Sequence, residues 1–457
     1  MEGFLVFAAL AGSPSDARFE WRTPAQISRS LQPLIQEAYV ATDDGALRIE
    51  PAADTLEWML DVPGARQELR IGIGLRGEED VIGFVAAVPL SLRLRGEEQP
   101  AVEVSLLCVR PEWRGKGLTR LLLEELRRRC AAAGMRCAIY TSARPRRVRP
   151  LLIAECFHRP LRARELLAAG FFGEPEEGSS ASASSSSSTT TSTTTTAASH
   201  AALRSAAHAA ARLPERPPRR LWRGSRLASP RLDRMSEDDA AECCRLARRH
   251  AAAFELAHGY SLDDFRHRFL GRGARSFVLR SAAASSAAEH ADGVDGGEED
   301  GGADDGGAAA SRVADSRGAI IGFVGFTLLP LRTASRRRPG RRIVQAQLLG
   351  IAIAPGARRE PPTSPDAISP DATSPDAISL LLGGALHAAR RDGAAVFNAL
   401  AVGDLSPRRL AALGFSRGDG ITFVHLESDD GRLVERLLGG GPRMIEPARA
   451  SWTPLLS

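Results

Sequence analysis

Along the chain, stretches in which apolar residues recur with a structural period alternate with stretches that nearly lack them. "DVIGFVAAVPLSL" (80–92) and "AIIGFVGFTLLPL" (319–331) are apolar, β-branched runs of strand type, and both contain Ile-Gly-Phe-Val. Each is followed by a second run, "AVEVSLLCVRP" and "IVQAQLLGIAIAP", and then by an amphipathic helix, over 118–133 and 380–393. Each copy closes on a helix that leads into Gly-Phe, at 163–172 and 406–416. The same order met twice predicts two copies of one α/β unit.

The stretches between follow other rules. Residues 177–211 are almost entirely Ser, Thr and Ala, too polar and too simple to bury a core. Residues 281–317 pass into an acidic, glycine-rich tether, and 332–342 form a basic loop. At 364–379 a five-residue unit repeats three times with Pro in every unit, which forbids a regular helix. Expanded surface loops account for all four; an acidic run that binds basic partners and a phosphorylated Ser/Thr run are the functional alternatives. The predicted organisation is a first half over 1–173, a linker over 174–219, a second half over 220–430 with insertions at about 281–317 and 356–379, and a tail over 431–457.

Composition narrows the class. At 457 residues with 43% hydrophobic and 25% charged residues the chain is globular and multi-domain. Its net charge of +5 is scattered rather than gathered into a stripe, so nucleic acid is not an expected partner. Cys108, Cys130, Cys137, Cys156, Cys243 and Cys244 show no metal-ligand spacing; reduced thiols of a cytoplasmic protein are expected, with no metal. No run has the apolar length of a membrane span, and Glu2 stands where a signal peptide carries positive charge.

The chemistry concentrates at 106–130, "LLCVRPEWRGKGLTRLLLEELRRRC". Leu118, Leu121, Leu122 and Leu126 share one helical face, and Arg127, Arg128 and Arg129 lie toward the C-terminal end, where cations suit the helix dipole. The helix therefore starts near Gly117, and its free amides make an anion site. Gly115 and Gly117 let several amides converge without Cβ obstruction, while Arg114 and Lys116 add charge. A pyrophosphate suits such a site. The plain alternative is a strand-to-helix turn whose glycines serve only as bends.

The order strand, Pro111, Arg-Gly-Lys-Gly-Leu, long helix resembles the acyl-CoA-binding motif of the GNAT acyltransferase superfamily, and two such units in one chain resemble the glycylpeptide N-myristoyltransferase family. "VEVSLLCVRPEWRGKGLTRLLLEELRRRC" is similar to the family segment built on Glu-(Val/Ile)-Asn-Phe-Leu-Cys-Val. "AIYTSA" followed by "AECFHRPL" resembles its Tyr-Thr-Ala-Gly and Trp/Tyr-His-Arg segments, and "EAYVATDDGALRIE" its Tyr-Val-Glu-Asp-Asp-Asp loop. "FNALAVGDLSPRRLAALGFSRGDG" carries Phe-Asn-Ala-Leu and Gly-Asp-Gly at the family's separation. The likeness covers most of the non-repetitive chain.

The resemblance implies two GNAT-like halves of mixed, mostly antiparallel sheet flanked by helices and related by pseudo-twofold symmetry. It implies transfer of a myristoyl group from myristoyl-CoA, a cosubstrate with no permanently bound cofactor beside it, to the N-terminal glycine amine of client proteins. Attack on the thioester is direct, so Cys108 is not a nucleophile. Backbone amides of Leu106 and Leu107 would hold the oxyanion, and Ser457 would supply the general base through its terminal carboxylate. Leu106, Leu107, Cys108, Val109, Arg114, Gly115, Lys116, Gly117, Leu118 and Thr119 fall on the acyl-CoA site. Tyr39, Asp43, Asp44, Tyr140, Thr141, His158 and Asp419 fall on the peptide site. Read alone, Asp43, Asp44 and Asp419 are ordinary turn acids and His158 a packed or surface histidine.

There are departures. The family's Asn before "RLPE" has no clear counterpart, its helix Thr falls on Arg248, its Tyr-Ser-Phe-Tyr strand reads "QLLG" at 347–350, and its aromatic segment over CoA does not fit the roughly twenty residues before "FEWRT". The chain also runs some residues longer after its last predicted strand. An acyltransferase using a shorter acyl-CoA and a non-catalytic acyl-CoA-binding protein are the alternatives.

Overall fold

In the computed structural model the described residues are 18–39, 47–169, 171, 231–281, 318–333, 340–357, 376–428, 430–438 and 444–454. Most of the four loop stretches, with Asp43, Asp44 and Ser457, lie outside them.

The first half runs β1 (Phe19–Trp21), α1 (Pro24–Ala38), β2 (Leu47–Ile49), α2 (Ala53–Leu60), β3 (Arg70–Leu75), β4 (Gly83–Leu94), β5 (Glu97–Val109), α3 (Leu118–Ala132), β6 (Cys137–Ser142), β7 (Leu152–Pro160) and α4 (Ala163–Ala168). The second half repeats it as β8 (Arg231–Arg234), α5 (Ala240–Ala251), β9 (Leu256–Gly259), α6 (Leu262–Leu270), β10 (Ala274–Arg280), β11 (Ile320–Thr333), β12 (Arg342–Ile353), α7 (Ala377–Arg391), β13 (Val396–Leu400), α8 (Pro407–Ala412) and β14 (Ser416–Ser428). α9 (Gly431–Leu437) and β15 (Ala450–Ser451) follow.

The main path of the sheet reads β1-β3-β4-β5-β6-β14-β7-β13-β12-β11-β10-β8, the same from either end once each strand is replaced by its counterpart. Only β5·β6 and β12·β13 in that path are parallel. At the centre the halves exchange their last strands. β14 inserts between β6 and β7, and β7 reaches β13. The exchange recurs off the path, where β2 pairs β11 and β9 pairs β4. The repeated sequence plan predicted two copies of one α/β unit, and their pseudo-twofold relation is the one the family resemblance implied; the exchange of strands between them was expected from neither.

The shared Ile-Gly-Phe-Val has a packing cause. A Cβ on Gly83 would lie 3.1 Å from the Leu122 side chain of α3, and one on Gly322 2.8 Å from Leu381 of α7. Glycine at this point lets the crossing helix close on the sheet. β4 and β11 are covered on both faces over most of their length, so their sequences read as continuous apolar runs rather than alternating ones. α1 starts on a capping box between Thr23 and Gln26 and buries Ile27, Leu31, Leu34 and Ile35 at helical spacing.

One matched pair does not hold. The helix at 163–172 follows β7, the last strand of its half, whereas the helix at 406–416 precedes β14. A short helix running into Gly-Phe reflects a common way of ending a helix, here with Gly414 left-handed at φ 76°, and carries no register between the copies. The helix expected from 380 starts earlier, at Ala377, because the Asp376 side chain accepts from the Ser379 amide at 2.8 Å and caps it.

Candidate functional site

The β5–α3 connection carries the densest group of expected residues. β5 is broken opposite β4 by a bulge: Phe84 faces Cys108 and Ala86 faces Ser105, so Leu106 and Leu107 together oppose Val85. Leu106 takes a left-handed backbone, φ 55°, an uncommon conformation for a residue with a branched side chain, and its side chain is buried. A bulge interrupts the ladder and re-aims the backbone of the extra residue, as a site built from main-chain donors requires. Beside it, burial pushes the Cys108 thiol up to about 12, so it stays protonated and inert near neutral pH. Burial likewise raises the Tyr39 phenol to about 12, with Cys108 and Glu103 as neighbouring groups.

Past β5 the chain makes a single turn at Pro111–Trp113 and enters α3 through Gly115 and Gly117, both left-handed, with φ 76° and 81°. A Cβ on either would meet nothing within 4 Å. The backbone conformation therefore selects glycine here, and the space before the turn is open. Gly117 is the N-cap and offers no side chain to the helix amides. The first amide taken up after Arg114 is that of Arg120, by the Gly117 carbonyl at 3.1 Å. The open space and the free helix start together make an anion cradle.

The two cations there differ. The Arg114 guanidinium donates to the carbonyls of Val109 (3.1 Å) and Ala38 (2.8 Å), bracing the turn against the end of α1 from behind. Lys116, the only lysine in the sequence, lies 4.1 Å over the Trp113 ring with its ammonium exposed. Trp113 in turn meets Phe19 edge-on.

The counterpart helix start in the second half is closed. Asp376 caps α7 with its own carboxylate and pairs with Arg409 at 3.3 Å. An anion there would meet a negative side chain already in place, so the two halves divide in chemistry although they share a fold.

The remaining expected residues form two further groups. Tyr140 and Thr141 on β6 pair with β14; Tyr140 stacks on His425 at 5.0 Å and its hydroxyl donates to Glu427. His158 on β7 hydrogen-bonds through Nδ1 to Asn398 Oδ1 at 2.9 Å, and Asn398 donates on to Gln345. Burial outweighs the Asn398 bond and the nearby Asp419 charge and holds the imidazole below its usual range, neutral at pH 7. β14 breaks register between Arg417 and Ile421 over this ring, which brings the exposed Asp419 near it.

The structure adds residues the sequence did not single out. Glu103 is buried on β5, three residues before the bulge. It lines a cleft between the halves with Trp58, Val88, His258, Tyr260 and Arg268. Arg268 sits on an amphipathic helix where a polar residue reads as solvated, and nothing in the local pattern marks it as buried.

Residues 16–159 match the family model described as "Myristoyl-CoA:protein N-myristoyltransferase, N-terminal domain". Glycylpeptide N-tetradecanoyltransferase of Eremothecium gossypii is 28% identical over 269 residues, 58% of this chain and 51% of that protein. The Saccharomyces cerevisiae protein of the same name is 26% identical over 240 residues, 52% of this chain and 45% of that one. The chain thus spans about half the length of the curated relatives it matches. A structure of Saccharomyces cerevisiae N-myristoyltransferase with bound myristoyl-CoA covers 92% of this chain and 81% of its own, with TM-score 0.65 and 22% identity, a likeness of fold.

Proposed function

We propose that this chain is a member of the N-myristoyltransferase family and transfers a myristoyl group from myristoyl-CoA to the N-terminal glycine amine of proteins by direct attack on the thioester. The observation that carries this reading is the sequence of backbone devices on β5 and α3: a left-handed bulge at Leu106–Leu107, then an uncapped helix start behind two left-handed glycines.

The CoA phosphates lie at Gly115–Thr119, with Lys116 held to Trp113 beside them. The thioester carbonyl then reaches the bulge, where amides of Leu106 and Leu107 take up the developing oxyanion; a preorganised donor of this kind lowers the barrier by about 3–4 kcal/mol. The glycine nitrogen forms the amide bond, the carbon–sulfur bond breaks, and the CoA thiolate leaves and is protonated. Before attack the ammonium loses a proton; the Ser457 terminal carboxylate is the acceptor the family resemblance implies, and Asp43, Asp44, Asp419 and the buried Glu103 are the carboxylates that would take its place if it does not serve. Tyr39, Tyr140, Thr141 and His158 belong to the peptide side, the neutral His158 fixed by Asn398. The buried Cys108 takes no covalent part.

The test is incubation of the protein with myristoyl-CoA or acetyl-CoA and a Gly-initiated peptide, followed by mass spectrometry. One myristoyl group on the glycine peptide and none on a Ser-initiated control is the expected result. Transfer of acetyl alone would make it a short-chain acyltransferase, and acyl-CoA binding without transfer to any peptide would make it a binding protein.

A further inference from the structure

Near the end of the chain, β15 pairs in parallel with β9, Ala450 opposite Leu256 and Ser451 opposite Ala257. Trp452 follows, fully buried, and Thr453 and Pro454 after it are buried as well. Three groups converge on Thr453. Arg268 Nη2 donates to its carbonyl at 2.7 Å and to its hydroxyl at 3.3 Å, and His258 Nε2 donates to the same carbonyl at 3.0 Å. The Thr453 hydroxyl donates to the Leu349 carbonyl at 2.7 Å, and Arg268 closes the ring on that carbonyl through Nε (3.3 Å) and Nη2 (3.1 Å). Leu349 is the extra residue of the β12 bulge, where Gly325 faces Gly350 and Phe326 faces Leu348.

Arg268 is 7% exposed, and among the described residues all its side-chain hydrogen bonds end on Leu349 and Thr453, none on a carboxylate. Burying a guanidinium whose hydrogen bonds all end on neutral groups is costly, and packing alone would be served by an apolar residue of the same size. Burial, and after it the Arg268 charge, hold the His258 imidazole well below its usual range, so it meets Thr453 as a neutral donor. Arg268 and His258 line the cleft that Glu103 enters from the first half. Glu103 stands three residues from Leu106, about 10 Å along the strand. Ser451 and Thr453 line an adjoining hollow that His258 and Tyr260 share.

We propose that Arg268 is a positioning residue for acyl transfer: its guanidinium fixes the Ala450–Pro454 segment against the β12 bulge, and the segment through the Thr453–His258 bond holds His258 and the wall it shares with the cleft that receives the acceptor amine. The inference rests on the acyltransferase reading above. It needs a guanidinium in particular, because a planar fork can bridge two carbonyls and a hydroxyl at once where an ammonium offers a point charge. Displacement of a positioning wall by about 1 Å is enough to cost on the order of 100-fold in turnover.

The test compares wild type with Arg268→Ala, Arg268→Lys and Thr453→Val. Turnover of a Gly-initiated peptide should fall about 100-fold in Arg268→Ala, with myristoyl-CoA affinity by calorimetry within twofold of wild type. Arg268→Lys should recover little of it, whereas added methylguanidinium should restore Arg268→Ala at least several-fold. Thr453→Val, a milder change, should fall about tenfold, and it decides the matter if Arg268→Ala does not fold. Amides of Ser451–Thr453 should exchange faster with deuterium in each variant while the other β-sheet amides keep their protection. Turnover within threefold of wild type in Arg268→Ala, or in Thr453→Val if that is the variant that folds, overturns the proposal. So does a loss that methylguanidinium leaves untouched while the segment's exchange is unchanged. A wild type that transfers no acyl group overturns the acyltransferase reading instead, and the exchange experiment still reports whether Arg268 clamps the segment.

Discussion

Trp58 and His267 exchange hydrogen bonds across the seam between the halves: the indole Nε1 donates to the His267 carbonyl at 2.8 Å, and His267 Nε2 donates to the Trp58 carbonyl at 2.7 Å. The rings stack at 6.1 Å. The His267 carbonyl belongs to the last turn of α6, where helix carbonyls lack intrahelical partners, so the indole of α2 completes a helix of the other half. Trp58→Phe keeps a ring in place and removes that donor. It should lower unfolding stability by about 1–3 kcal/mol, read from denaturant midpoints. An unchanged midpoint would mean that water satisfies the carbonyl as well as the indole does.

Gly117→Asp brings a Cβ into a left-handed backbone and a negative charge to the open start of α3. Affinity for CoA, measured by calorimetry, should fall at least tenfold, with the melting temperature moving only a few degrees because the turn is exposed. Retained affinity would remove the phosphates from this turn.

Leu106→Val tests the bulge. A β-branched side chain is poorly accommodated at φ 55°, so the backbone should relax toward an ordinary strand and withdraw its amides. Turnover should drop about 100- to 1000-fold, the weight of an oxyanion donor, while CoA affinity holds. Equal turnover in the two proteins would take the bulge out of the chemistry.

A pH effect on stability follows from His258. Its folded-state imidazole titrates well below the usual value, burial being the main cause, whereas in the unfolded chain it titrates near ~6.5. As pH falls through that unfolded value the unfolded chain takes up a proton that the fold refuses. Stability is therefore lost on acidification, by up to about 1.4 kcal/mol per pH unit for this one group. His258→Gln should flatten the curve between roughly pH 6.5 and 5 by that amount, in chemical denaturation run across the range. A slope identical to wild type would show that His258 protonates in the folded state.

Some of this was legible in the sequence and some could not have been. Ile-Gly-Phe-Val at 82–85 and at 321–324 announced the internal repeat because the same packing need, a leucine of a crossing helix against the sheet, fixes the same residues twice. The anion cradle was legible because its devices are local: two glycines, a helix start and a lysine within five residues. The bulge at Leu106 left no such mark, since Leu-Leu in a strand predicts regular pairing, and only its match to the family's Phe-Leu pointed there. Arg114 reads as a phosphate ligand by proximity, yet its guanidinium turns to the Ala38 carbonyl of a helix 76 residues earlier. The Arg268–Thr453 contact spans 185 residues, beyond any local pattern. Side chains that act across the seam between halves stay hidden until the halves are assembled.

The interleaving of β7 and β14 bears on how the chain is made. When β7 leaves the ribosome its neighbour β14 is still roughly 260 residues from being synthesised, about 15–50 s at typical elongation rates. For that interval β6 and β7 present strand edges that nothing covers, a template for pairing with any other nascent chain. Chaperone demand should therefore be set by the long middle of the polypeptide, and splitting the gene between the halves should yield fragments that associate only when both are produced together.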